Sequence, residues 1–197
     1  MNRPLAVVIA ILSVVAMPAV AQAPKPVQGT IEKIDGPVLS IKEQGGTVVP
    51  VKLTDNAQVF GVVPAGVADI KVGDYIGVGA MPQPDGSQKA IQVTIFAPSQ
   101  RGIGEGFRPW DRPGSTMTNG AVDAAVAGVN GRVLTVKYKG GEQKIVIAEG
   151  ANIRAYLPGD KSELKVGAHV RITRPEKAPD GSLQAARINV GRNGAAP

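Results

Sequence analysis

Residues 34–42 read I-D-G-P-V-L-S-I-K, and residues 129–137 read V-N-G-R-V-L-T-V-K. Each run is followed at the same distance by a glycine pair, Gly45-Gly46 and Gly140-Gly141. Further along, D-I-K-V-G at 69–73 matches E-L-K-V-G at 163–167, and P-D-G-S at 84–87 recurs at 179–182. The offset is 95 residues at both ends (34 to 129, 84 to 179) and 94 in the middle (69 to 163). Four blocks in one order at one spacing mean an internal duplication, and a duplicated unit sets the fold before any local propensity is weighed.

Each copy is written in β-forming residues. Residues 27–34, 38–43 and 48–53 are short runs rich in Val, Ile and Thr between Gly turns, and 57–62 can lengthen the third. Residues 67–71 leave room for one helical turn, stopped by Gly73. Residues 75–80 and 90–96 are two more strands, joined through Pro84-Asp85-Gly86-Ser87, where Pro fixes φ and Gly permits a tight reversal. Three strands, a turn of helix and two strands is the order of a small Greek-key barrel of the OB type. The expectation is an all-β protein of two tandem barrels, over 27–97 and 125–191, with small β-sandwiches as the alternative. A connector, 98–124, would join them, and 192–197 would be a tail.

The blocks G-T-I-E-K-I-D-G-P-V-L-S-I-K, A-D-I-K-V-G-D-Y-I-G-V-G-A and D-G-S-Q-K-A-I-Q-V-T-I resemble a family of bacterial secreted domains of unknown function. That resemblance implies OB-like barrels and a cell-envelope location, and no reaction. The second copy departs from it at Ala168, where the first has Asp74.

The N-terminus is consistent with export. Arg3 precedes an apolar run over 5–15, and small residues ending in Ala19-Val20-Ala21 follow. This is the pattern of a cleavable signal peptide, with cleavage expected after Ala21. The run is shorter than the roughly 20 residues a membrane span needs, so the mature chain is expected in the periplasm or outside the cell. There is no cysteine, which excludes disulfides, thiolate metal sites and a lipidated N-terminal cysteine.

Reactive groups are sparse. The one histidine, His169, has no second His or acid pair beside it in sequence, and no G-x-S-x-G elbow is present. G-I-G-E-G at 102–106 lacks the following G-K-[ST] of a phosphate loop. Asp35, Asp85 and Asp180 sit in turns, which explains them. The reading is a non-catalytic binding or structural accessory protein of the envelope, with no cofactor or metal implied; an accessory to metal or solute transport is the alternative.

Charge separates the copies. Residues 27–97 hold 5 basic and 7 acidic side chains, residues 125–191 hold 11 and 6, and 98–124 hold 3 and 3. The basic excess therefore belongs to the second copy. Arg132, Lys137, Lys139, Lys144, Arg154, Arg171, Arg174 and Arg187 are its candidate contacts for an anionic envelope polymer or lipid, through long-range attraction. Nucleic acid is the poorer partner, since that copy has only Tyr138 and Tyr156 for stacking. The connector holds the only tryptophan, Trp110, with Phe107 and Arg101, Arg108 and Arg112 close by. Trp and Arg are enriched at binding hot spots, so these five residues are candidates for docking an envelope partner. The competing expectation is that Phe107 and Trp110 fold back to plug a gap between the barrels.

Overall fold

The computed structural model describes residues 24–128, 131–148 and 150–197. The expected signal peptide, 1–21, lies outside the described residues, as do Val129 and Asn130 of the second repeat block. The strands are β1 (Val27–Asp35), β2 (Val38–Glu43), β3 (Val48–Ala65), β4 (Tyr75–Pro82), β5 (Gln88–Ile95), β6 (Gly106–Pro109), β7 (Thr116–Gly128), β8 (Gly131–Tyr138), β9 (Gly141–Ala148), β10 (Asn152–Pro158), β11 (His169–Ile172), β12 (Glu176–Lys177) and β13 (Leu183–Gly191). Short 3-10 turns at Val67–Asp69 and Lys161–Glu163 stand where one helical turn is expected in each copy. The protein is all-β, and among the described residues no helix is long and apolar enough to cross a membrane.

The strands close into two rings, and the rings do not follow the repeats. In the first ring β1 pairs with β2 and β2 with β3, all antiparallel; β3 runs parallel to β13, and β13 returns through β11 to β1. In the second, β7 pairs with β8 and β8 with β9; β9 and β10 run parallel to β5, and β5 returns through β4 to β7. The first ring thus takes β1–β3 from one copy and its closing pair, β11 and β13, from the other; the second takes β7–β10 and closes with β4 and β5. The division into barrels at 27–97 and 125–191 is corrected accordingly: the copies exchange their last two strands.

The physical cause is visible in β3. Its 18 residues run as one strand without a turn. A bulge sets residues 54–57 against Ala186 alone, but nothing there reverses the chain: Gln58–Val62 go on pairing with β13, and the end of β3 delivers β4 and β5 to the second ring. In the other copy the same stretch is two strands, β9 and β10, with Gly150 (φ 76°) between them. The far half of β3 pairs antiparallel with β10, from Ile153↔Ala65 to Pro158↔Phe60. The register is centred on Val62↔Tyr156, equivalent positions of the two copies, so an approximate two-fold relation passes through this pair.

Both cores are mixed in the same way. The first gathers Ile31, Leu39, Ile41 and Val51 with Leu164, Val170, Ile172, Ile188 and Val190. The second gathers Ile76, Val78 and Val93 with Leu134, Val136, Ile145 and Ile147. Each buried Val, Leu or Ile contributes about 1.5–3 kcal/mol, so neither ring is sustained by one copy alone. Phe60, Val62, Ala97 and Tyr156, with Phe96 against them, fill the join.

The region expected to be a connector is built into the sheet. β7 is the first strand of the second ring and begins at Thr116; β6 pairs with it as a hairpin, from Gly106↔Asn119 to Pro109↔Thr116. The expected tail is also held in place. Arg192 donates twice to Glu163, from Nε and Nη2, each at 2.7 Å, and from Nη2 to the Pro158 carbonyl at 3.0 Å. Gln28 Nε2 donates to the Pro197 carbonyl at 3.4 Å.

Candidate functional site

Strand alternation builds a cleft where the rings meet. Along β5, Val93 points into the core, so its neighbours Gln92 and Thr94 point out. On β13, Ile188 is inside, and Arg187 and Asn189 are outside; on β11, Val170 and Ile172 flank an outward Arg171. β10 turns Arg154 and Tyr156 to the same side, and Phe96, Gln100, Ile103, Arg108, Trp110 and Asn119 complete the walls. The cavity measures about 340 Å³, within the usual range for small-ligand sites.

Its chemistry is lopsided. Five guanidinium groups line it, from Arg108, Arg154, Arg171, Arg174 and Arg187, against a single carboxylate, Glu176. Among the described residues none of the five is ion-paired. Their partners are neutral: Arg108 Nη1 donates to the Gly104 carbonyl at 2.7 Å, Arg171 Nη1 to Gln28 Oε1 at 2.6 Å, and Arg154 Nε to Thr94 Oγ1 at 3.3 Å. Arg187 lies over the Phe60 ring, 5.9 Å from its centroid. Desolvation by the surrounding walls, and then the charge of Arg174, pull the Arg187 guanidinium below its ordinary pKa. Arg174 and Arg187 repel one another, and an anion bound between them would relieve that repulsion.

The aromatic wall depends on two glycines. Trp110 lies against the backbone of Gly79, where a Cβ would come within 2.3 Å of the indole ring. A Cβ at Gly77 would meet Asn119 Oδ1 and the Phe96 ring, both at 2.9 Å. Phe96 in turn packs edge-on against Tyr156, with centroids 5.8 Å apart. The Trp110 turn is tied by its N–H to the Ser115 carbonyl at 2.9 Å.

Two amides in this wall have unmet acceptors. Asn119 Nδ2 donates to the Ile103 carbonyl at 2.9 Å, which orients the amide and leaves Oδ1 without a donor. Asn189 Oδ1 is likewise unpartnered. Both residues are at most 5% exposed, and a buried polar atom left unpaired costs about 1–3 kcal/mol.

The structure brings together six of the residues singled out in sequence: Arg108 and Trp110 from the docking set, and Arg154, Arg171, Arg174 and Arg187 from the basic set. The others lie elsewhere. Arg101 reaches the Gly73 carbonyl and stacks over Tyr75 at 5.8 Å. Arg132 clamps the Val67 and Ile70 carbonyls at 2.9 and 3.0 Å, a structural role. Lys137 is paired with Asp123 at 2.9 Å. Lys139, Lys144 and Arg112 are exposed outside the cleft. Phe107 is 42% exposed and is not part of the wall, so Trp110 alone of the aromatic pair packs inward. Gly77, Gly79, Asn119 and Asn189 were not recognisable in sequence, because each acquires its role only from strands that the exchange brings side by side.

His169 is exposed, its Nδ1 3.1 Å from Thr30 Oγ1, and among the described residues no group of three or more His, Cys, Asp or Glu side chains gathers at metal-binding range. Comparison with known proteins finds no matching family model, no matching curated protein and no matching solved structure.

Proposed function

We propose that this is an exported, non-catalytic binding protein of the cell envelope that holds an anionic ligand in the arginine cleft between its two rings. The observation that carries the reading is five guanidinium groups facing one carboxylate in a cavity of about 340 Å³. Arginine keeps its proton throughout the physiological range and offers a rigid fork of donors. Such a lining positions anions and does not shuttle protons. Export rests on the N-terminal pattern of Arg3, the apolar run and the Ala19-Val20-Ala21 exit.

Calorimetric titration of the mature chain with pyrophosphate and with citrate tests the reading. Saturable binding that weakens steeply with added salt is expected, and Arg171→Gln with Arg187→Gln should reduce it at least tenfold. Absence of binding by either anion at low salt would rule the reading out.

A further inference from the structure

Two of the cleft's arginines are held from outside it. Gln28 on β1 stands directly opposite Arg171 on β11, and opposed residues of an antiparallel pair put their side chains on one face. Gln28 Oε1 accepts from Arg171 Nη1 at 2.6 Å, and Gln28 Nε2 donates to the Pro197 carbonyl at 3.4 Å. Arg154 is gripped twice: Nε donates to Thr94 Oγ1 at 3.3 Å and Nη1 to the Ala196 carbonyl at 3.5 Å. Both carbonyls belong to one segment, 193–197, which turns back through a bond from the Ala195 N–H to the Arg192 carbonyl at 3.0 Å. The segment lies on β13 at Gly191, where any Cβ would overlap the Ala195 carbonyl oxygen, and Pro197 is buried. Neither Gln28 nor this segment lines the cavity.

We infer that Gln28 and the segment 193–197 form a brace that positions Arg171 and Arg154 for the anionic ligand. The inference rests on the anionic-ligand reading of the cleft and adds positioning residues to it. The brace is built from neutral acceptors, an amide oxygen and main-chain carbonyls. Glu163 shows the contrasting arrangement, a carboxylate 2.7 Å from Arg192 that cancels its charge. A neutral acceptor orients a guanidinium and leaves the charge for a ligand. The fork is rigid, so fixing Nη1 also fixes the direction in which Nη2 points. A free arginine loses rotamer freedom when it captures an anion; a braced one has lost it on folding, so that loss no longer weakens binding.

The mature chain, Gln28→Ala, Arg171→Gln and the double variant are titrated with pyrophosphate and with citrate by calorimetry at low salt. Gln28→Ala is expected to weaken binding about three- to tenfold, the span of one lost hydrogen bond. Its melting temperature should be unchanged, because Gln28 is exposed. In the Arg171→Gln background the same change should have no further effect, since Gln28 acts through Arg171. Deletion of residues 193–197, which keeps the Arg192–Glu163 pair, should also weaken binding. Unchanged affinity of Gln28→Ala or of the deletion would overturn the brace and leave the anionic cleft standing. So would an equal loss from Gln28→Ala in both backgrounds, the mark of a merely structural role. Tighter binding by the deletion would make the segment an obstruction and would also overturn the inference. If wild type binds neither anion, the reading of the cleft falls and the brace with it.

Discussion

The outer faces of β4–β5 and β11–β13 are the same surface of the two copies, and they have parted company. Inside, the equivalents agree: Ile76 with Val170, Val78 with Ile172, Val93 with Ile188, all fully buried. Outside, Gly77, Gly79, Gln92 and Thr94 stand opposite Arg171, Thr173, Arg187 and Asn189. One face is pared back to backbone and accepts the Trp110 ring; the other is charged. The exchange of strands sets the two faces on either side of one cleft. The buried positions of the two faces match, and the differences fall on the alternate residues that the cores do not use.

The largest expected effect comes from undoing the exchange. Residues 24–97 alone lack β11 and β13, and 98–197 alone lack β4 and β5. Each half is expected to show no cooperative thermal transition by circular dichroism, and mixing the two should restore one. Next comes the bare face. Gly79→Val drives side-chain atoms into the indole of Trp110, at a cost of about 1–3 kcal/mol by overpacking. A red-shifted Trp110 emission and a lower melting temperature would register the displaced ring.

A smaller effect is expected at the tie between the second copy's turn and its last strand. Glu163 is held below its ordinary pKa, first by the Arg192 hydrogen bonds. A carboxylate depressed on folding contributes stability that is present above its ordinary value of 4.5 and is lost as pH falls through the folded value. Glu163→Gln should cost about 1 kcal/mol near neutrality, and its stability should fall less than wild type's between pH 5 and 3 in denaturant titrations. The smallest change is on the charged face itself. Arg187→Gln removes a desolvated charge repelled by Arg174, so the melting temperature should hold or rise slightly while anion binding weakens. A clear loss of stability would show that Arg187 is structural.

Much of the fold could be read in the sequence. The repeats, most strands and the turns are local, and Pro84–Ser87 and its copy behave alike: Asp85 Oδ1 accepts from the Ser87 amide and hydroxyl at 3.0 and 2.6 Å, and Asp180 does the same from Ser182 at 2.9 and 2.6 Å. Partner choice could not be read, because strands of equal pattern fit either core. The first part of β7, residues 116–124, reads as connector because T-M-T-N-G-A-V-D-A lacks a Val/Ile run. Of the site, Arg108, Trp110 and the second copy's arginines stood out by type and charge. Their convergence depends on the long unbroken β3, and nothing local to those residues signals it.

The exchange itself can be tested by a single cross-link, since the chain has no cysteine of its own. Thr30 on β1 lies opposite His169 on β11, with their side chains 3.1 Å apart. Directly opposed antiparallel residues have the Cα spacing a disulfide requires. Under mild oxidation the monomeric Thr30→Cys/His169→Cys variant should form an intrachain disulfide, identified by peptide mass mapping. A Thr30→Cys/Tyr75→Cys variant should not, because Tyr75 is paired with Ala121 in the other ring. Cross-linking of 30 to 75, with none to 169, would mean that each copy closes its own barrel and would contradict the shared cleft.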